Sequence, residues 1–99
     1  MTQLSIQSSD ERKKQRLNTL VQQALDRESN LLRSAIEKTR AQLTVFETKH
    51  ALSSDEFFRR FQAGQTDDSD DFVDWSGEYQ IYLSLLEQAN ALKDVVVCK

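Results

Sequence analysis

Proline is absent from this 99-residue chain, and glycine occurs only twice, at Gly64 and Gly77. Most turn chemistry is thereby excluded, and the backbone is free to run in long helices. Cysteine is almost absent too. The lone Cys98 cannot form an internal disulfide, so an intracellular, cytoplasmic protein is expected, with no catalytic thiol at its C-terminal end. No apolar run approaches the ~18 residues of a membrane helix. The first thirty residues lack the apolar stretch of a signal peptide. His50 is the single histidine and has no second imidazole or cysteine near it in sequence, so it reads as a surface residue at a helix end rather than a metal ligand. Gly-rich phosphate loops, nucleophile elbows and paired-cysteine motifs are missing. Carboxylate pairs at one-turn spacing, such as Asp74 with Glu78, read as solvated helix faces. The expectation is a non-enzyme without cofactor or metal.

What is present is helical pattern. Charged residues make up 29% of the chain and apolar ones 38%, a balance that suits exposed helices with one apolar stripe each. Residues 1–8 show no stripe and read as a frayed arm. Ser9 or Asp10 can cap a helix over 9–52, whose apolar positions Leu17, Val21, Leu25, Leu32, Ile36, Leu43 and Phe46 recur in steps of three and four. Glu28 interrupts this stripe and Thr39 weakens it. Forty residues at ~1.5 Å each span ~60 Å. A compact domain of this size has a radius of gyration of only ~13 Å. So long a stripe must pair with a second chain, or be covered by the rest of its own chain, or both.

Residues 53–86 hold seven of the eight aromatics and both glycines. Ser53 with Glu56 spells a capping box, and Leu52 with Phe57 a hydrophobic staple. Asp55 and Glu56 suit the positive end of a helix dipole, and Gly64 supplies the left-handed residue that stops a helix. These signals predict a short helix over 54–63. An acidic linker, 65–70, follows. Ser69 or Asp70 then caps a helix over 71–95 with the stripe Phe72, Trp75, Tyr79, Tyr82, Leu86, Ala89 and Leu92; β-branched Val95–Val97 either frays or extends it. Gly77 inside this helix costs ~1 kcal/mol, which points to close approach of another helix. The fold class is therefore all-α and one domain: a long N-terminal helix packed against a short helix and a C-terminal helix as an antiparallel hairpin. The aromatic cluster sits at its turn end. Leu17, Leu20, Val21 and Leu25, beyond the reach of the hairpin, are left to make a coiled-coil-like homodimer.

Charge is unevenly placed. Residues 1–53 carry nine Lys/Arg and six Asp/Glu, whereas 54–99 carry four and ten, giving +3 and −6. Arg12, Lys13, Lys14 and Arg16 open the long helix against its dipole and could touch phosphates, but no recognition-helix context accompanies them, so nucleic acid is not an expected partner. Asp67, Ser69, Asp71 and Glu78 match four EF-hand positions; Phe72 occupies the required glycine position, so the linker reads as solvated and helix-capping. Arg and aromatic residues dominate interface hot spots. Phe57, Phe61, Phe72, Trp75 and Tyr79 at helical spacing read first as filling the small core; Arg59, Arg60, Trp75, Tyr79 and Tyr82, with the acidic Asp67, Asp68, Asp70 and Asp71, are the candidate contacts for a protein partner.

One segment also carries a family likeness. Glu56-Phe57-Phe58-Arg59-Arg60-Phe61-Gln62-Ala63-Gly64, the aspartates Asp67, Asp68, Asp70 and Asp71, Phe72-Val73-Asp74-Trp75, and Tyr79 with Tyr82 together resemble small helical antitoxin-like proteins of cyanobacteria and archaea that are encoded beside toxin ribonucleases. The resemblance covers residues 52–86. It implies a protein that neutralises a basic ribonuclease through its acidic, aromatic C-terminal half. The N-terminal half shows no ribbon-helix-helix, swapped-hairpin or helix-turn-helix pattern. A structural or adaptor dimer with no toxin partner is the alternative.

Overall fold

The computed structural model describes residues 10–97. The expected frayed arm, a cap at Ser9 and the cysteine at 98 lie outside these residues. Among the described residues there are three helices and no strand: α1 (Glu11–His50), α2 (Ser54–Gln62) and α3 (Asp70–Val97). No described helix is long and apolar enough to cross a membrane.

Each boundary has a local chemical cause. The Asp10 carboxylate accepts from the amides of Arg12 (3.1 Å) and Lys13 (3.4 Å), two donors the first turn leaves without helical partners. α1 ends at His50, two residues short of the expected limit, because Ala51 turns left-handed (φ 51°, ψ 48°). An alanine there is strained, since its Cβ crowds the following carbonyl. Ser53 caps α2 by accepting from the Glu56 amide at 3.2 Å. The reciprocal half of the expected capping box is not made: the Glu56 carboxylate turns to Arg59 and to Arg60 (2.8 Å) on its own helix. Two guanidiniums outbid one backbone amide because both partners are charged. Gly64, at φ 73°, closes α2 with the paired bonds of a Schellman motif: Gln65 N to Arg60 O (2.9 Å) and Gly64 N to Phe61 O (3.1 Å). Ser69 caps α3 by accepting from Phe72 N, and is itself held by Asp67 Oδ1 accepting from Ser69 N at 3.0 Å. The linker is thus 63–69, and α3 extends through the valines.

α1 and α3 lie antiparallel. Lys49 meets Asp71 at one end (3.0 Å), and Ser29 and Leu32 face Ala89 and Leu92 near the other. Twenty-eight residues of α3 cannot match forty of α1. The particle is accordingly rod-like, 64 × 26 × 20 Å with a radius of gyration of 20.2 Å, and residues 11–24 of α1 overhang the hairpin. α2 packs across the closed end through Phe57 and Phe58.

Core burial is concentrated in this head. Leu43, Phe57 and Trp75 are fully enclosed, with Phe46, Leu52, Phe61, Phe72 and Tyr79 packed against them. Phe57 stacks on Trp75 at 3.9 Å between centroids, and Phe46 lies against the indole at 5.6 Å. Thr39, expected to weaken the stripe, is a core residue; its hydroxyl donates to the Ala35 carbonyl at 2.8 Å, so no polar group is stranded.

Candidate functional site

A buried polar chain fixes the head. The Trp75 indole N–H donates to Ser54 Oγ (2.9 Å), and that hydroxyl donates to Glu47 Oε2 (2.7 Å). The Ser54 amide donates to the same oxygen (2.9 Å), and Arg40 pairs with Oε1 (2.5 Å). Burial, the largest single influence on Glu47, pushes its carboxyl up; the two Ser54 bonds and Arg40 together outweigh it and hold it below the ordinary value. Among the described residues, no buried side-chain nitrogen or oxygen lacks a partner. Such satisfaction marks a structural network.

His50 is not the surface residue expected. Its ring is half-buried, stacked on Trp75 (5.3 Å, 19°) and tilted against Phe72 (5.1 Å). Its Nε2 lies 2.8 Å from Asp71 Oδ2; facing an ionised carboxylate, that nitrogen carries the proton and donates. His50 and then Lys49 hold the Asp71 carboxyl below its usual range. Asp71 therefore closes the α1–α3 seam, its carboxylate engaged by two residues of α1. The EF-hand positions do not converge: Asp67 is spent on the Ser69 amide, and among the described residues no three His, Cys, Asp or Glu side chains gather as a metal-ligand set.

The partner-binding candidates divide. Trp75 has no exposed surface and is corrected to a core residue, its indole nitrogen consumed by Ser54. Arg59, Arg60, Asp67, Asp68 and Asp70 are exposed at the head, with Glu56 bracing both arginines. Tyr79 is half-buried against Phe58 (5.2 Å). Burial and then the nearby Asp55 carboxylate push its phenol up. Tyr82 is half-buried, with the Arg40 guanidinium 5.7 Å over its ring. The structure thus brings the two arginines, the linker acids and Tyr79 to one end of the rod. Leu17, Leu20 and Val21 lie on the overhang, exposed by 42, 55 and 52%, whereas Leu25 is half-buried where α3 begins to cover α1.

Sequence reasoning missed two features. Glu47 and Ser54 received no role from the sequence pattern, yet they hold the buried network together. The other is a groove of about 530 Å³ on one side of the hairpin, lined by Gln42, Val45 and Phe46 of α1 and Val73, Asp74, Gly77, Glu78 and Ile81 of α3, its apolar floor edged by two carboxylates. Gly77 does not admit a helix of its own chain, because a Cβ added there meets nothing within 4 Å. It opens into this groove instead. With its nitrogen turned inward, the Gln42 amide donates to Glu78 (2.7 and 2.9 Å) along the groove edge. Tyr79, which meets α2, is two residues and thus ~200° round the helix from Gly77. α2 covers one face of the hairpin and leaves the opposite one bare.

Comparison with known protein families, curated proteins and solved structures gives no match.

Proposed function

We propose that this chain is a non-enzymatic protein-binding module that works by association through its outer surface. The observation that carries this reading is an inversion of burial. Four hydrophobic side chains are buried among the described residues, three of them fully, whereas ten large ones stand exposed along the rod. An extended apolar surface on a small protein is the signature of a binding face. α3 shows it most clearly: Val73, Ile81, Leu83 and Leu86 point outward while Trp75 and Tyr82 point in. A helix apolar around its circumference is one that an assembly covers.

The specific form we infer is antitoxin-like: the acidic, aromatic head covers a basic ribonuclease and blocks it. Exposed Asp67, Asp68 and Asp70 supply charge opposite to such a surface, Tyr79 and Tyr82 supply half-buried rims, and the likeness of residues 52–86 to antitoxin-like sequences supports the assignment. Co-expression with the product of the neighbouring gene tests it. Co-purification and rescue of growth are the expected results; a neighbour that neither binds nor is toxic overturns the assignment. A second reading, a homodimeric adaptor in the cytoplasm, is favoured by one observation: the overhang exposes Leu17, Leu20 and Val21, with no cover from the rest of the described residues. This second reading has no toxin partner.

A further inference from the structure

We propose that a second copy of this chain fills the Gly77 groove: two chains pair antiparallel about a dyad at Leu31, and the overhang of each covers the bare hairpin face of the other. The proposal rests on the self-association reading above and gives it a geometry.

Helical periodicity shows the matching surface. At ~100° per residue, Leu17, Leu20, Leu31 and Val45 fall within an ~80° arc of α1, roughly a third of a turn from the inward line of Leu25, Leu32 and Leu43. All four are exposed, by 42, 55, 59 and 66%. This second line is ~42 Å long at 1.5 Å per residue, so it runs from the overhang to the head. A short peptide would cover a fraction of it, whereas another α1 covers all of it. Leu31 stands at its midpoint, fourteen residues from Leu17 and fourteen from Val45. An isologous two-fold contact requires a surface that is its own complement, so that residue i meets j and j meets i. Antiparallel pairing about Leu31 satisfies this. Leu17 falls opposite Val45, and Leu20 opposite Gln42, over the groove that Gly77 leaves open.

The charges at the helix start fit the same arrangement, with Lys13 falling opposite a Lys49 whose ammonium is already held by Asp71 at 3.0 Å. Arg12, Lys13, Lys14 and Arg16 form no ion pair among the described residues, and neither do Asp70 and Asp74. The proposed register sets residues 12–16 of one copy opposite residues 50–46 of the other. That level of α1 is also the level of the α3 start, as the Lys49–Asp71 and Phe46–Trp75 contacts show. The basic helix start, unfavourable against its own dipole, thereby faces the partner's exposed aspartates. A parallel pair would instead set four cations against four cations and leave both grooves empty.

The test uses the full chain with Cys98→Ser, single added cysteines and a short bismaleimide crosslinker, alongside sedimentation equilibrium. Leu31→Cys is expected to crosslink efficiently and Leu17→Cys alone not at all, while mixed Leu17→Cys and Val45→Cys chains give a heterodimer. Crosslinking of Leu17→Cys alone, or a dimer in which Leu31→Cys stays unlinked, overturns the register and leaves self-association standing. A chain monomeric by sedimentation at millimolar concentration overturns both. Gly77→Gln separates folding from docking, because the added side chain has open space in the monomer. Helicity is expected to hold or rise while the dimer dissociation constant increases at least tenfold. An unchanged dissociation constant overturns the groove as the docking site.

Discussion

The head and the overhang are two ends of one helix with opposite situations. Residues 36–50 of α1 meet α2 and α3 and share a core in which every buried polar group is satisfied. Residues 11–24 have the same apolar spacing and almost no cover. Pattern alone therefore does not say where a stripe is buried; the length of the facing element does. α3 runs out where Leu25 begins, and from there toward the N-terminus the stripe is available to another molecule. The head buries its apolar residues, and the overhang leaves Leu17, Leu20 and Val21 exposed.

The sharpest way to break this contrast is to empty the head. Trp75→Ala removes the largest enclosed side chain and should destabilise the fold by ~3–5 kcal/mol, measured by urea unfolding followed by circular dichroism. A loss under about 1 kcal/mol would mean that the head is not the folding core. Ser54→Ala cuts the link between Trp75 and Glu47 and leaves the indole N–H unpartnered; the expected cost is roughly 1–3 kcal/mol, read in the same experiment.

A smaller effect follows from pH. Burial raises the Glu47 carboxyl, and the Ser54 and Arg40 contacts more than reverse this; Arg60 then Arg59 lower Glu56, and His50 then Lys49 lower Asp71. A depressed folded-state pKa means that the unfolded chain takes protons more readily. The stabilisation is full above the ordinary values of 4.5 and 3.8 and is lost as pH falls through the lower folded ones. Glu47→Gln should flatten that acid limb, and an unchanged slope would remove Glu47 from the account. Smaller still, and opposite in sign, Ala51→Gly should stabilise by ~0.5–1 kcal/mol, because glycine takes the left-handed conformation without the Cβ clash. Smallest of all, Leu20→Ser on the overhang should change stability by less than about 0.5 kcal/mol at dilute, monomeric concentration. A large cost there would show that the overhang is packed after all.

Much of the fold was legible because its signals are local. Ser53, Phe57 with Leu52, and Gly64 each act within a few residues, and they place α2 to within one position. The three-four spacing gave the long helices and the hairpin. The His50 and Trp75 environments were not legible, because their neighbours come from other helices: Ser54 is twenty-one residues from Trp75, and His50 the same distance from Asp71. Glu47 was hidden for the same reason, since a glutamate on a helix reads as solvated until the serine it serves is brought beside it. For the binding surface, the exposed arginines and linker aspartates could be read from charge and capping, whereas the groove depends on where α2 does not pack. Gly77 was read as a place where a helix comes close, but among the described residues an added Cβ meets nothing within 4 Å there.

Sedimentation equilibrium of the full chain beside a chain beginning at residue 25 tests the central contrast most directly. The account predicts that the full chain sediments at twice its 11.4 kDa mass, and that the shortened chain is a monomer with the helicity of an intact head. A monomeric full chain, or a shortened chain that still dimerises as tightly, would contradict it.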